Sequence, residues 1–191
     1  MMTGFDLPKT LEERGAVQTG HFRLSSGRHS PKFVQKFRIL EQPALVERIA
    51  GEIVARLNPT AKPNVVISAA VGAIVLGYEV ARQLGVRAIF VEKELGVPAL
   101  RRGFVLGPGD RVLVVEDVVT TGGSVKEVID VVRTSGAAPV AVAIIVRREP
   151  VDFGLPTVAL VELPIASYAP EECPQCKAGE AITEPGSRFL K

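Results

Sequence analysis

The chain has 191 residues, 47% hydrophobic and 23% charged, a make-up that fits one globular domain able to bury roughly 70% of its unfolded surface without disulfides. A net charge of +2, no tryptophan and 5% aromatics give neither the basic surface nor the stacking platforms of a nucleic-acid binder. No apolar run approaches a membrane span, the N-terminus lacks a signal-peptide core, and Cys173 and Cys176 ask for no oxidising compartment, so a cytoplasmic protein is expected.

Residues 8–15 read as a short helix stopped by Gly15, and Ala16 to Leu24 as a strand. Ser25-Ser26-Gly27-Arg28-His29-Ser30-Pro31 is a loop by composition, and Lys32 to Phe37 returns to an extended pattern. Pro43 opens a helix to about Leu57, with Leu45, Ile49, Ile53 and Leu57 on one face. Val65-Val66-Ile67 is a buried strand, followed by the small-residue turn Ser68 to Gly72 and a helix from Ile74 to Leu84. Arg87 to Val91 is the next strand. Residues 92–103 form a polar loop, and Phe104 to Leu106 flanks a turn at 107–110. Val112 to Val115, Val140 to Val146 and Thr157 to Leu163 complete the strands, and the tail from Pro164 is irregular. Alternating strands and helices predict an α/β fold with a mostly parallel sheet flanked by helices, binding its ligand beyond the carboxyl ends of the strands.

The stretch Arg111 to Gly136 concentrates the chemistry. Four uninterrupted aliphatics, Val112 to Val115, predict a strand buried on both faces. The carboxylates Glu116 and Asp117 follow, then Thr120-Thr121-Gly122-Gly123-Ser124. A helix then carries Val125, Val128, Ile129 and Val132 at helical spacing, with Ser124 and Glu127 spaced as a capping box. A glycine- and hydroxyl-rich turn at a helix N-terminus suits a phosphate. Two carboxylates beside it need another partner, either sugar hydroxyls or a hydrated Mg²⁺.

VLVVEDVVTTGGS resembles the phosphoribosyl-pyrophosphate (PRPP) signature of the type I phosphoribosyltransferases. The resemblance implies a core of about 43–163 carrying a small hood made of about 1–40 and the C-terminal tail. It assigns PRPP to Glu116, Asp117, Val118, Val119, Thr120, Thr121, Gly122, Gly123 and Ser124, and the pyrophosphate to Ala70, Val71 and Gly72. Ala69 stands where the family carries Gly or Pro. The 92–103 loop is similar to one that closes over the site, often the neighbouring subunit's. Its cations Lys93, Arg101 and Arg102 are implied to stabilise the departing pyrophosphate.

FRLSSGRHSPKF resembles the base-recognising hood of the orotate-specific members, with Ser25 where relatives often have Lys, which implies base contacts from Ser25 and Phe33. Arg148, 28 residues after Thr120, matches the family's orotate-binding arginine, a guanidinium that forks onto a carboxylate. Arg147 is a near-equal rival by side-chain alternation. Thr120 is also implied to touch orotate. Mg²⁺ carried by the ligand, with no direct protein ligand, and a homodimer complete the expectation. The rivals are transfer to another base and a PRPP-sensing regulator. Cys173-Pro174-Gln175-Cys176 has half the ligands of a zinc site, and the only histidines, His21 and His29, lie far away in sequence.

Overall fold

The computed structural model describes residues 5–24 and 26–185. The chain divides into two compact units: Ile39–Leu163, and the segments on either side of it.

The flanking unit begins with α1 (Leu7–Glu13), capped by Asp6, whose Oδ1 accepts from the Lys9 N–H at 3.0 Å. β1 (Val17–Arg23) and β2 (His29–Val34) form an antiparallel hairpin, with Val17 opposite Val34 and Arg23 opposite His29. The predicted extended stretch at 32–37 is therefore displaced. The turn closes early, with the Leu24 N–H donating to the Arg28 carbonyl, so β2 already starts at His29. Phe37 instead opens the single-turn helix α2 (Phe37–Leu40) at the division between the units. The tail holds a 3₁₀ turn at Pro170–Glu172 and one helical turn at Pro174–Lys177. It bridges the hairpin at His29–Tyr168 and Phe22–Thr183, so it runs along both strands.

In the central unit, α3 (Pro43–Arg56) is followed by β3 (Val65–Ala69), α4 (Ile74–Leu84), β4 (Arg87–Glu94), β5 (Val97–Leu100), β6 (Arg111–Val119), α5 (Gly123–Thr134), β7 (Ala138–Arg147) and β8 (Thr157–Glu162). The strand order is β5-β4-β3-β6-β7-β8, parallel throughout except for β5 at the edge. This is the expected α/β sheet. One face packs Val65, Ile67, Val112, Val114, Val142 and Ile144 against Val125, Val128, Ile129 and Val132 of α5. Fully burying each such aliphatic is worth about 1.5–3 kcal/mol, so this face fixes α5 on the sheet. α4 covers the other face. A Cβ at Gly77 would stand 3.1 Å from Ser68 Oγ, so helix and strand approach closely there. Among the described residues no helix is long and apolar enough to cross a membrane.

One expectation for this unit fails. Residues 92–103 are not an unordered polar loop: β4 runs on to Glu94, turns at Leu95–Gly96 and returns as β5. Both turn residues have positive φ, 50° and 85°, the backbone a two-residue hairpin requires. Phe104 to Leu106 leads into the turn at 107–110 without regular structure, and the Phe104 ring packs edge-on against Phe90, with centroids 5.0 Å apart.

Candidate active site

Strand register sets the rim. Ala69 of β3 lies opposite Val91 of β4, Ser68 opposite Val115 of β6, and Glu116 opposite Ile144 of β7. Beyond that row β3 gives way to Ala70-Val71-Gly72, whereas β4 continues through Lys93, β6 through Val119 and β7 to Arg147. All four stretches therefore emerge at the same carboxyl edge, where ligands bind in open parallel sheets.

Glu116 and Asp117 do not follow the strand as expected; they lie within it, because β6 stays paired to β7 as far as Val119. Both are buried, 7% and 1% exposed. Ionised carboxylates at such depth need donors. Glu116 Oε1 accepts from the Asp117 N–H at 3.1 Å, and Asp117 Oδ1 accepts from the Val118 N–H at 2.6 Å. These bonds hold the acidic pair at the foot of the Thr120–Gly122 turn.

α5 begins at Gly123, two residues earlier than a Ser124 cap would allow, and the capping box does not form. Gly122 takes the N-cap position in the left-handed region, at φ 78°, and has no side chain to cap with. The first N–H groups of a helix have no intrahelical partners. Here they sit beside the half-exposed Thr120 and the exposed Thr121, Gly123 and Ser124. The arrangement suits an anion approaching from the rim. Glu127, freed from capping, instead receives Lys93, with Nζ 2.8 Å from Oε2.

Gly122 is also the tightest point of the turn. A Cβ there would stand 2.7 Å from Val151 Cγ1 and 2.9 Å from Phe153 Cε1, in a backbone conformation that L side chains rarely adopt. Gly122→Ala is expected to cost about 2 kcal/mol or more in urea unfolding, from overpacking plus strain. Gly123→Ala, whose Cβ would meet nothing closer than 4.0 Å, should unfold within about 1 kcal/mol of the parent. Equal losses would show that neither constraint operates.

The structure separates the rival arginines. Arg147 forks onto Glu162 of β8, Nη2 to Oε1 at 2.6 Å and Nε to Oε2 at 3.0 Å. Arg148 is 5% exposed, and its N–H donates to the Val119 carbonyl at 2.8 Å, immediately before Thr120. Burial pulls its guanidinium below the usual arginine range, with the Glu149 carboxylate opposing the shift. Lys93, Arg101 and Arg102 lie on or just past the β4–β5 hairpin, and each faces a carboxylate. Lys93 faces Glu127, Arg101 faces Glu94 at 3.3 Å, and Arg102 forks onto Glu92 at 2.8 and 3.0 Å. Ala70 and Val71 are exposed, Gly72 is half-buried, and the Ala70–Val71 peptide is cis. Phe33 belongs to the other unit, on β2, its ring 5.7 Å from that of Phe22; Ser25 lies outside the described residues.

The phosphoribosyl transferase domain family matches residues 38–150, a span containing β3 to β7, the acidic pair, the turn and Arg148. The chain belongs to the phosphoribosyltransferase family. Among relatives of this phosphoribosyltransferase, the orotate phosphoribosyltransferase of Pelotomaculum thermopropionicum is 48% identical, over 99% of this chain and 100% of its own length. That of Heliobacterium modesticaldum is 51% identical, over 91% of this chain and 92% of its own. Among solved structures, the orotate phosphoribosyltransferase of Aeropyrum pernix superposes with a TM-score of 0.69 at 27% identity, covering 83% of this chain and 94% of that one.

The partner of Lys93 was not legible from the sequence, where Glu127 reads as part of a cap. Only the hairpin, by carrying Lys93 past the rim, brings it to α5.

Proposed function

We propose that this phosphoribosyltransferase transfers the 5-phosphoribosyl group of PRPP to orotate, giving orotidine 5′-monophosphate and pyrophosphate, as the names of its full-length relatives indicate. The observation that carries the reading is Arg148, a buried guanidinium whose backbone is tied to the residue preceding Thr120. A carboxylated base beside the sugar turn has a bidentate partner there.

Thr120 to Ser124 hold the 5′-phosphate at the start of α5, and Glu116 and Asp117 accept from the ribose hydroxyls. The bond from the anomeric carbon to pyrophosphate breaks as the ring nitrogen of orotate bonds to that carbon from the opposite face. The ionised nitrogen carries no proton, so no strong protein base is required. Ala70, Val71 and Gly72 border the leaving group, with Lys93, Arg101 and Arg102 countering its growing charge. The oxygen donors of Glu116 and Asp117 are of the kind Mg²⁺ accepts, and they would hold it through the ribose oxygens rather than directly. Bound Mg²⁺ would supply charge neutralisation to the pyrophosphate. Ser25 and Phe33 are assigned to orotate by sequence resemblance alone. A homodimer, supported by the exposed apolar side chains of Val71, ahead of α4, and of Val75 and Tyr78 on it, and a cytoplasmic location complete the proposal.

The test is a spectrophotometric assay of orotate with PRPP and Mg²⁺. Orotate should disappear with equimolar release of pyrophosphate. Consumption of uracil or a purine with orotate untouched would overturn the reading, and so would PRPP binding without turnover of any base.

A further inference from the structure

The flanking unit gathers four side chains that the transfer reaction does not use. His21 of β1, His29 of β2, and Cys173 and Cys176 around the helical turn Pro174–Lys177 place one nitrogen or sulfur each within 4.8 Å of one another. His21, His29 and Cys173 are buried. His21 Nε2 is 3.2 Å from His29 Nδ1, 3.5 Å from Cys173 Sγ and 3.6 Å from Cys176 Sγ; His29 Nδ1 is 3.2 Å from Cys176 Sγ.

These four separations are close to edges of a coordination tetrahedron. Zinc bonds of about 2.0–2.1 Å to nitrogen and about 2.3 Å to sulfur put two nitrogens about 3.4 Å apart, and a nitrogen and a sulfur about 3.6 Å apart. A second observation comes from outside the cluster: His21 Nδ1 lies 3.0 Å from the Glu180 carbonyl. A carbonyl only accepts, so Nδ1 carries the proton and Nε2 presents its lone pair inward. Metal-bound imidazoles are oriented by this kind of outer bond. That single lone pair faces three atoms at once, more than hydrogen bonding can serve, whereas one central cation satisfies all four groups together.

We propose that His21, His29, Cys173 and Cys176 bind one zinc ion that fastens the tail to the hairpin. Two thiolates balance the dication, and two-sulfur, two-nitrogen tetrahedral coordination suits zinc. Four protein ligands close the site, which makes it structural. The unit has reason to need it. Its buried apolar side chains are few, Leu11, Phe22, Leu24, Val34 and Ile165 among them, and small cores of this kind are commonly stapled by a metal. The ion would reinforce the bridges at His29–Tyr168 and Phe22–Thr183.

The experiment measures metal in the untagged full chain, purified without added zinc and then dialysed against Co²⁺ under reducing conditions. About one zinc per chain is expected, with cobalt giving tetrahedral d–d bands and thiolate charge-transfer absorption. Cys173→Ser and Cys176→Ser should each lower zinc occupancy below about a tenth, because binding depends on the deprotonated ligands. A chelator should lower the Tm of the wild-type chain by about 5 °C. Wild-type chain with reduced thiols that takes up neither zinc nor cobalt would overturn the proposal. So would full zinc occupancy in both Cys173→Ser and Cys176→Ser, which would place the ion elsewhere, or a Tm indifferent to loss of the metal.

Discussion

Arg148→Ala is expected to raise the KM for orotate about 100-fold or more while moving the KM for PRPP by no more than about twofold. Removing one partner of a buried, hydrogen-bonded charge pair costs about 2–5 kcal/mol, much of it from leaving the other charge unpaired. Arg148 is 5% exposed, so water has little room to replace the lost guanidinium. Arg148→Lys should recover only part of the loss, because an ammonium is a point charge and does not fork. Arg147→Ala is the control. Its guanidinium is engaged by Glu162 on the neighbouring strand, so both Michaelis constants should stay near the parent's. Steady-state kinetics with each substrate varied in turn decides the matter. If both constants rise together in Arg148→Ala, the residue supports the site as a whole and does not read the base.

What the sequence could show depended on how local the signal was. The run Val112 to Val115, without alternation, pointed to a doubly buried strand, and it is one. Ile74 to Leu84 was bounded by its own apolar spacing and by Gly85, and the helix has those ends. The β4–β5 hairpin was missed because its turn, Leu95-Gly96, lacks the Asn-Gly or Asp-Gly signature, and because β5 is a short edge strand with weak alternation. The capping box failed because two competing signals overlapped. The glycine pair at 122–123 lets the chain enter the helix through a left-handed residue, and the packing of Val151 and Phe153 admits nothing larger at Gly122. The least legible feature was the approach of His21 and His29 to Cys173 and Cys176. The histidines meet across a hairpin, and the cysteines arrive from more than 140 residues away, along a tail read as irregular. One histidine on the predicted strand at 16–24 and one in the loop after it, with a C-x₂-C elsewhere in the chain, is the pattern that carried the information.

Lys93→Ala is expected to lower kcat about 100-fold while leaving the unfolding free energy within about 1 kcal/mol of the parent. The two halves of this expectation rest on different facts. Lys93 and Glu127 are 2.8 Å apart, but their side chains are 43% and 40% exposed, so water screens the pair and its loss barely touches the fold. Glu127 is thus a partner Lys93 can exchange at little cost. Pyrophosphate gains negative charge as its bond to the sugar breaks, and under the proposed function a cation that can leave Glu127 for it would lower that barrier more than it tightens binding of PRPP. The loss should therefore appear in kcat more than in the KM for PRPP. Arg102 is held by two bonds to Glu92, a fork that must break before the guanidinium can serve elsewhere, so Arg102→Ala should cost less than about tenfold. Glu127→Gln tests the exchange itself: it releases Lys93 without removing it, and kcat should stay within about twofold of the parent. A kcat in Lys93→Ala equal to that of the parent would remove Lys93 from the mechanism and pass the role to Arg101, whose contact with Glu94, at 3.3 Å, is the longest of the three.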